Sequence, residues 1–367
     1  MAGMHRGYAA HGCDAGGVRF APMFATLAGS YPWPADVPTA EALRVVLGAQ
    51  ADSGLGLLSD GCVHRSDDAS TLVEAWTAAG AAASAEGIDL PVKLAVLGPW
   101  ARLALPAGRE WARPGAADAR SAVAAAHAAA DPLRGAGAVD AGADAGGPGA
   151  DPAAHAAVLA TAARLAVALA AVVEAGCPVV EIHEPSASLP AGPGAGEAFA
   201  SVHRALLDRL SADAHATLAI TGGDAEAPGA ESLFGLDYRS YLFDLIAGPD
   251  SWRTIAKAPG DRGIIVGVAD ATGARETRLE EVAWAAGYAA SLGGRGMARV
   301  GLAPSSGLEA LDPARARALI GLLGEAARML VGDPDELLRR FDPRAVDLRS
   351  AARGAYRPDR RGRPAGR

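Results

Sequence analysis

Two stretches carry residue types that move protons or grip small polar molecules. Residues 179–185, VVEIHEP, form an apolar run that ends in His183, Glu184 and Pro185, and residues 59–65, SDGCVHR, end another with Asp60, Cys62 and His64. An imidazole titrates near neutrality and can take or give a proton, and a neighbouring carboxyl group can do the same. His183 and Glu184 are therefore the candidate catalytic residues, either one removing or supplying a proton. A plainer reading of Glu184 is that it hydrogen-bonds loop backbone. Cys62 and His183 also suit a reactive thiol with its base, or, with His64, ligands of a metal. Cys-x-His at one strand end is only a fragment of a metal site, so no metal is expected, and the bland alternative makes Cys62 a pocket-wall filler and His183 a hydrogen-bonded pocket residue.

These groups need elements to hold them. Apolar runs at 24–34, 54–61, 91–99, 178–182, 215–224, 240–250, 263–273 and 298–307 predict eight strands, bounded by Gly and Pro. Helices are expected at 39–53 with Thr39 as cap, 68–86, 152–175, 197–210, after Asp250, at 276–292 and at 313–331. Strands alternating with helices pair in parallel, and eight such units imply closure into an α/β (β/α)8 TIM barrel. The expected organisation is a leader at 1–22, one barrel domain at 23–340 and a basic tail at 341–367. A long Gly/Ala-rich insertion, 107–151, follows the third strand, and its composition predicts partial disorder.

Ligands of such barrels gather at the C-terminal ends of strands. That places Gly29, Ser30, Tyr31, Asp60, Cys62, His64, Trp100, Thr221, Asp224, Asp270, Ser305 and Ser306 among the expected substrate-binding residues. Gly29 and Ser30 could offer backbone N–H groups to a substrate carboxylate, or form a plain turn. Cys177 falls at the opposite end and is expected to be structural. His5, His11, His127, His155, His203 and His215 fall in tails, in helices or before strands, and are expected to be solvated.

A formal net charge of -8 argues against a nucleic acid partner, and the Arg-rich end belongs to the tail. Three cysteines without CxxC spacing point to a reducing cytoplasm. The leader lacks the apolar stretch of a secretory signal, and the apolar run at 163–173 is short and contains Arg164, so no membrane partner is expected. A small-molecule substrate is the expected partner. Oligomeric state is not legible.

TLAGSYPWP, LLSDGCVHR, PVKLAVLGP, EAGCPVVEIHEP, GVADATGARETRLEEV and LAPSSGL follow one another in the order, and at about the spacing, of motifs in the catalytic barrel of cobalamin-independent methionine synthase. Over residues 24–331 the chain resembles a single-barrel member of that methionine synthase and uroporphyrinogen decarboxylase-like superfamily. The resemblance implies methyl transfer from a methyltetrahydrofolate to a thiol held on zinc. The zinc-binding His-x-Cys pair would fall at Ala219 and Thr221, the last Cys at Ser306, and the Glu ligand near Ala247 or Gly248, so no zinc is expected. Cys62 and His183 stand where the family has the two carboxylates that hold the substrate amine, which points to an acceptor other than homocysteine. The pterin-stacking Trp would fall near Leu105, with Trp100 or Trp111 as substitutes. The expected activity is a metal-free, methionine-synthase-like one-carbon transfer. The alternatives are a metal-free lyase or decarboxylase, or a non-catalytic binding subunit.

Overall fold

All eight expected strands form, and each hydrogen-bonded neighbour runs parallel. The computed structural model describes residues 23–34, 37–104 and 152–332. The leader, the insertion, the tail, Leu105 and Trp111 lie outside the described residues, as do His5, His11 and His127. The order is β1 (Met23–Ala25), α1 (Thr39–Asp52), β2 (Leu58–Ser59), α2 (Ala69–Ala85), β3 (Val92–Leu97), α3 (Pro99–Ala104), α4 (Pro152–Glu174), β4 (Val179–His183) and α5 (Ala195–Leu207). It continues with β5 (His215–Ile220), α6 (Ala230–Phe234), β6 (Ser240–Asp244), α7 (Ser251–Ile255), β7 (Gly263–Ala269), α8 (Leu279–Ser291), β8 (Val300–Pro304) and α9 (Pro313–Gly332).

The sheet runs β1-β8-β7-β6-β5-β4-β3-β2. A parallel bridge between Thr26 and Leu57 closes it into a barrel, helped by the Gly56 N–H on Ala25 O at 3.0 Å and the Thr26 hydroxyl on Leu57 O at 2.8 Å. This seam is thin for a local reason. Gln50 of α1 accepts from the Ser59 N–H at 3.0 Å and donates to Ser59 O at 2.7 Å, so its amide takes the place of a neighbouring strand along β2. The expected strand at 54–61 therefore shrinks to two residues.

Alternation sorts each strand into two faces. Leu94 and Val96 of β3, with Val180 and Ile182 of β4, join the large apolar cluster shared with the helices. Phe24, Ala219, Leu242, Ile265 and Ala303 meet in a separate cluster drawn from β1, β5, β6, β7 and β8, which is the barrel lumen. Lys93 and Glu181 therefore face inward.

Two helix expectations change. Pro38, not Thr39, occupies the cap position of α1, without a side-chain cap bond. Asp68 does cap α2, accepting from the Thr71 N–H at 2.8 Å. Helix α4, by its 23 residues and mean hydropathy of 2.2, is long and apolar enough to cross a membrane, which the expectation from residues 163–173 missed. It lies against α2, α3 and α5 and buries Val158, Leu165, Leu169 and Val172 as a barrel helix.

Candidate functional site

Of the two candidate catalytic residues, His183 and Glu184, only His183 shares the face of Glu181. Adjacent residues of a strand point to opposite faces, so both cannot enter the lumen. Glu184 is buried on the helix side, where its Oε1 accepts from the Trp100 N–H at 3.0 Å and its Oε2 from the Ala101 N–H at 2.7 Å. It thereby satisfies the first N–H groups of α3, which have no partner within the helix. His203 Nε2 lies 3.5 Å from Glu184 Oε1, close enough for charge contact but without hydrogen-bond geometry. Gly98 makes the approach possible, since a Cβ there would overlap the Glu184 carboxyl group. His203, expected in solvent, is instead fully buried, with its Nδ1 2.7 Å from the Tyr238 hydroxyl.

The partner of His183 is two residues back on the same face. Glu181 Oε1 lies 2.7 Å from His183 Nε2, and Glu181 Oε2 lies 2.5 Å from Lys93 Nζ. Lys93 also donates to Leu27 O at 2.7 Å. The three side chains form a buried line through the lumen, from β3 to the C-terminal end of β4. Burial pushes the Glu181 carboxyl upward, but Lys93 and His183 outweigh it and hold it at about 2. Burial pulls the Lys93 ammonium below its ordinary value, partly offset by Glu181. Among the described residues none hydrogen-bonds His183 Nδ1. Gly29, at φ 80°, lies against the His183 ring, and a Cβ there would crowd both the ring and Val63.

The other expected residues surround this line at the barrel mouth. Ser30 donates from its hydroxyl to Glu309. The Tyr31 N–H reaches Gly61 O at 3.0 Å, and burial raises its phenol against a smaller lowering by Arg317. Asp60 accepts from the Cys62 N–H at 3.0 Å, and its other oxygen is 2.5 Å from His64 Nε2. Burial pulls the His64 imidazole down, yet the charge and hydrogen bond of Asp60 prevail, so its pKa is raised. Cys62 and His64 therefore share the Asp60 loop.

Beyond β5, Thr221 O accepts from the Ser186 N–H at 2.8 Å, and Asp224 accepts from the Ser251 N–H at 3.1 Å. Asp270 is spent on its own loop, accepting from Thr272 N and Oγ1 and from Arg275 N at 2.6–2.9 Å. Asp244 does likewise for Gly222, Ile246 and Ala247, while burial, with a contribution from Asp270, pushes it up to about 6. Ser305 accepts from the Ala271 N–H at 3.2 Å, and Ser306 is half-buried beside it. Trp100 is misplaced by the sequence reading. It is buried in the helix-side core, its ring centroid 6.2 Å from that of His155, and offers no face to a pterin at the mouth.

The zinc positions of the resembled family do not fit a metal. Ala219 lies in the apolar lumen cluster and Thr221 and Ser306 are not thiolate or imidazole ligands. Among the described residues no group of three or more His, Cys, Asp or Glu side chains is placed to hold an ion.

Lys93, Glu181 and Glu309 escaped the sequence reading. The signal for the first two was present: ionisable residues inside apolar strands, on the inward-facing alternate positions, need partners.

No family model matches the sequence, and no curated protein matches it either. Solved structures do. A B12-independent methionine synthase from Shewanella sp. W3-18-1, in complex with selenomethionine, superposes with a TM-score of 0.58 at 13% identity, covering 87% of this chain and 99% of that one. A putative vitamin-B12-independent methionine synthase from Listeria monocytogenes gives 0.51 at 14% identity, covering 84% and 99%. The barrel is thus similar to methionine synthase barrels in fold.

Proposed function

We propose that the chain is a one-carbon transferase of the methionine synthase type, moving a methyl group from a methyltetrahydrofolate to an acceptor other than homocysteine. The observation that carries this reading is His183, held at the barrel mouth through Nε2 while no described residue engages Nδ1. The fold likeness supports the reaction type, and the residues at 62 and 183 support the change of acceptor. His183 accepts the proton of the acceptor at Nδ1. The acceptor atom then bonds the methyl carbon as the carbon bond to the donor nitrogen breaks, and the proton passes to that nitrogen. Binding both substrates side by side supplies the remaining rate enhancement through proximity. The proposed setting is the cytoplasm, with small molecules as the partners.

Thermal unfolding in the presence of methyltetrahydrofolate tests the donor. At a hundredfold excess over Kd, binding stabilises the fold by about 2.7 kcal/mol, which is expected as a rise in Tm of several degrees. An unchanged Tm across a titration to millimolar donor would remove folate from the proposal.

A further inference from the structure

We infer that Lys93 and Glu181 are positioning residues for His183, fixing its neutral ring with the proton on Nε2 and the lone pair on Nδ1. This presupposes His183 as the proton acceptor and adds what makes it one.

Lys93 carries only donors, and an ionised carboxylate only accepts. With Lys93 Nζ 2.5 Å from Oε2, Glu181 is held in its ionised form, and its remaining oxygen can only accept from His183. The ring nitrogen 2.7 Å away must therefore be the one bearing hydrogen. The neutral ring then presents its lone pair at Nδ1, and a proton taken there creates an imidazolium beside a fixed negative charge. The depressed Glu181 carboxyl agrees with this assignment.

Rigidity comes from burial. The Lys93 side chain is 0% exposed and that of Glu181 1%, and Leu27 O, in the segment after β1, pins the ammonium. The Gly29 turn lies directly on the imidazole, limiting its rotation. A buried ion pair is often no more stabilising than apolar residues of equal volume, so stability alone does not account for charges in this lumen. Orientation of His183 does.

Long-range proton–nitrogen correlation spectra of protein labelled with 15N-histidine test this at alkaline pH, with the His183 signals assigned by their loss in His183→Gln. The expected wild-type pattern is a protonated Nε2 and a bare Nδ1. A proton on Nδ1, or rapid averaging of both forms, overturns the inference, and this spectrum suffices should variants not fold. In Glu181→Gln the amide can donate to Nε2, and the expected pattern shifts toward protonated Nδ1. Glu181→Asp keeps the charge and is expected to recover protonated Nε2. On a methyl acceptor that the wild type uses, kcat of Glu181→Gln is expected to fall on the order of 100-fold with KM little changed. A wild-type ring pattern in Glu181→Gln would overturn the positioning role. The expected pattern in a protein that transfers no methyl group would support positioning and sink the reaction proposed for it.

Discussion

Lys93→Met lowers the stability of the barrel by about 3–5 kcal/mol in urea unfolding, because it leaves the buried Glu181 without its counter-charge. Met fills most of the space of the lysine stem, so lost packing contributes little. The penalty comes from a carboxylate 1% exposed whose remaining partner is an imidazole. The doubly substituted Lys93→Met/Glu181→Leu barrel is expected to regain much of that loss, since no charge is then stranded. Equal destabilisation by the single and double changes would mean that shape, not charge, is at stake. The same pair sets the acid response. The folded-state value of Glu181 is about 2, below its ordinary 4.5, so its contribution is present above pH 4.5 and is lost as pH falls toward 2. In Lys93→Met the strongest influence holding Glu181 down is gone, so this acid-linked loss is expected to shrink.

Glu184→Ala destabilises the protein by roughly 2–4 kcal/mol, the second large effect. The change removes the acceptor for the Trp100 and Ala101 N–H groups at the start of α3 and opens a cavity beside His203. Glu184→Gln recovers only part of this. Its carbonyl can serve one N–H donor, but its NH2 group confronts the other. Chemical denaturation of the three proteins side by side checks the order, wild type above Gln above Ala. A Glu184→Gln protein as stable as the wild type would show that the two N–H groups do not need the carboxylate.

Much of the fold was legible because Gly and Pro bound each apolar run, and strands alternating with helices leave a parallel barrel as the simple solution. Strand lengths were not legible. The run at 54–61 yields only Leu58–Ser59, because a glutamine from α1 takes the backbone bonds a longer strand would have used. Helix α6, Ala230–Phe234, is five residues between Gly229 and Gly235 and leaves no periodic trace. His203 looked solvated because its helix position says nothing of Tyr238, 35 residues away, whose hydroxyl holds it.

The site was half legible for a different reason. Attention to strand ends found His183, Asp60 and His64, all at the mouth. It offered Glu184 as a second proton carrier beside His183, although alternation puts neighbours on opposite faces and residues two apart on the same one. Glu181 was available by that rule. Lys93 was visible as a charge inside an apolar strand, but its pairing with Glu181 depends on β3 lying beside β4 in the closed sheet. Ser30 against Glu309 spans 279 positions and could come only from the fold.

The proposed methyl transfer rests on proton transfer by His183. Its most direct test is turnover of methyl-labelled methyltetrahydrofolate by purified protein with a strong chelator present, wild type beside His183→Gln, across thiol, amine and hydroxyl acceptors. Labelled product is expected from the wild type with the chelator present, and a kcat lower by about 10²–10⁴-fold in His183→Gln with both proteins folded. Equal rates for the two proteins, or wild-type turnover abolished by the chelator and restored by zinc, would contradict it.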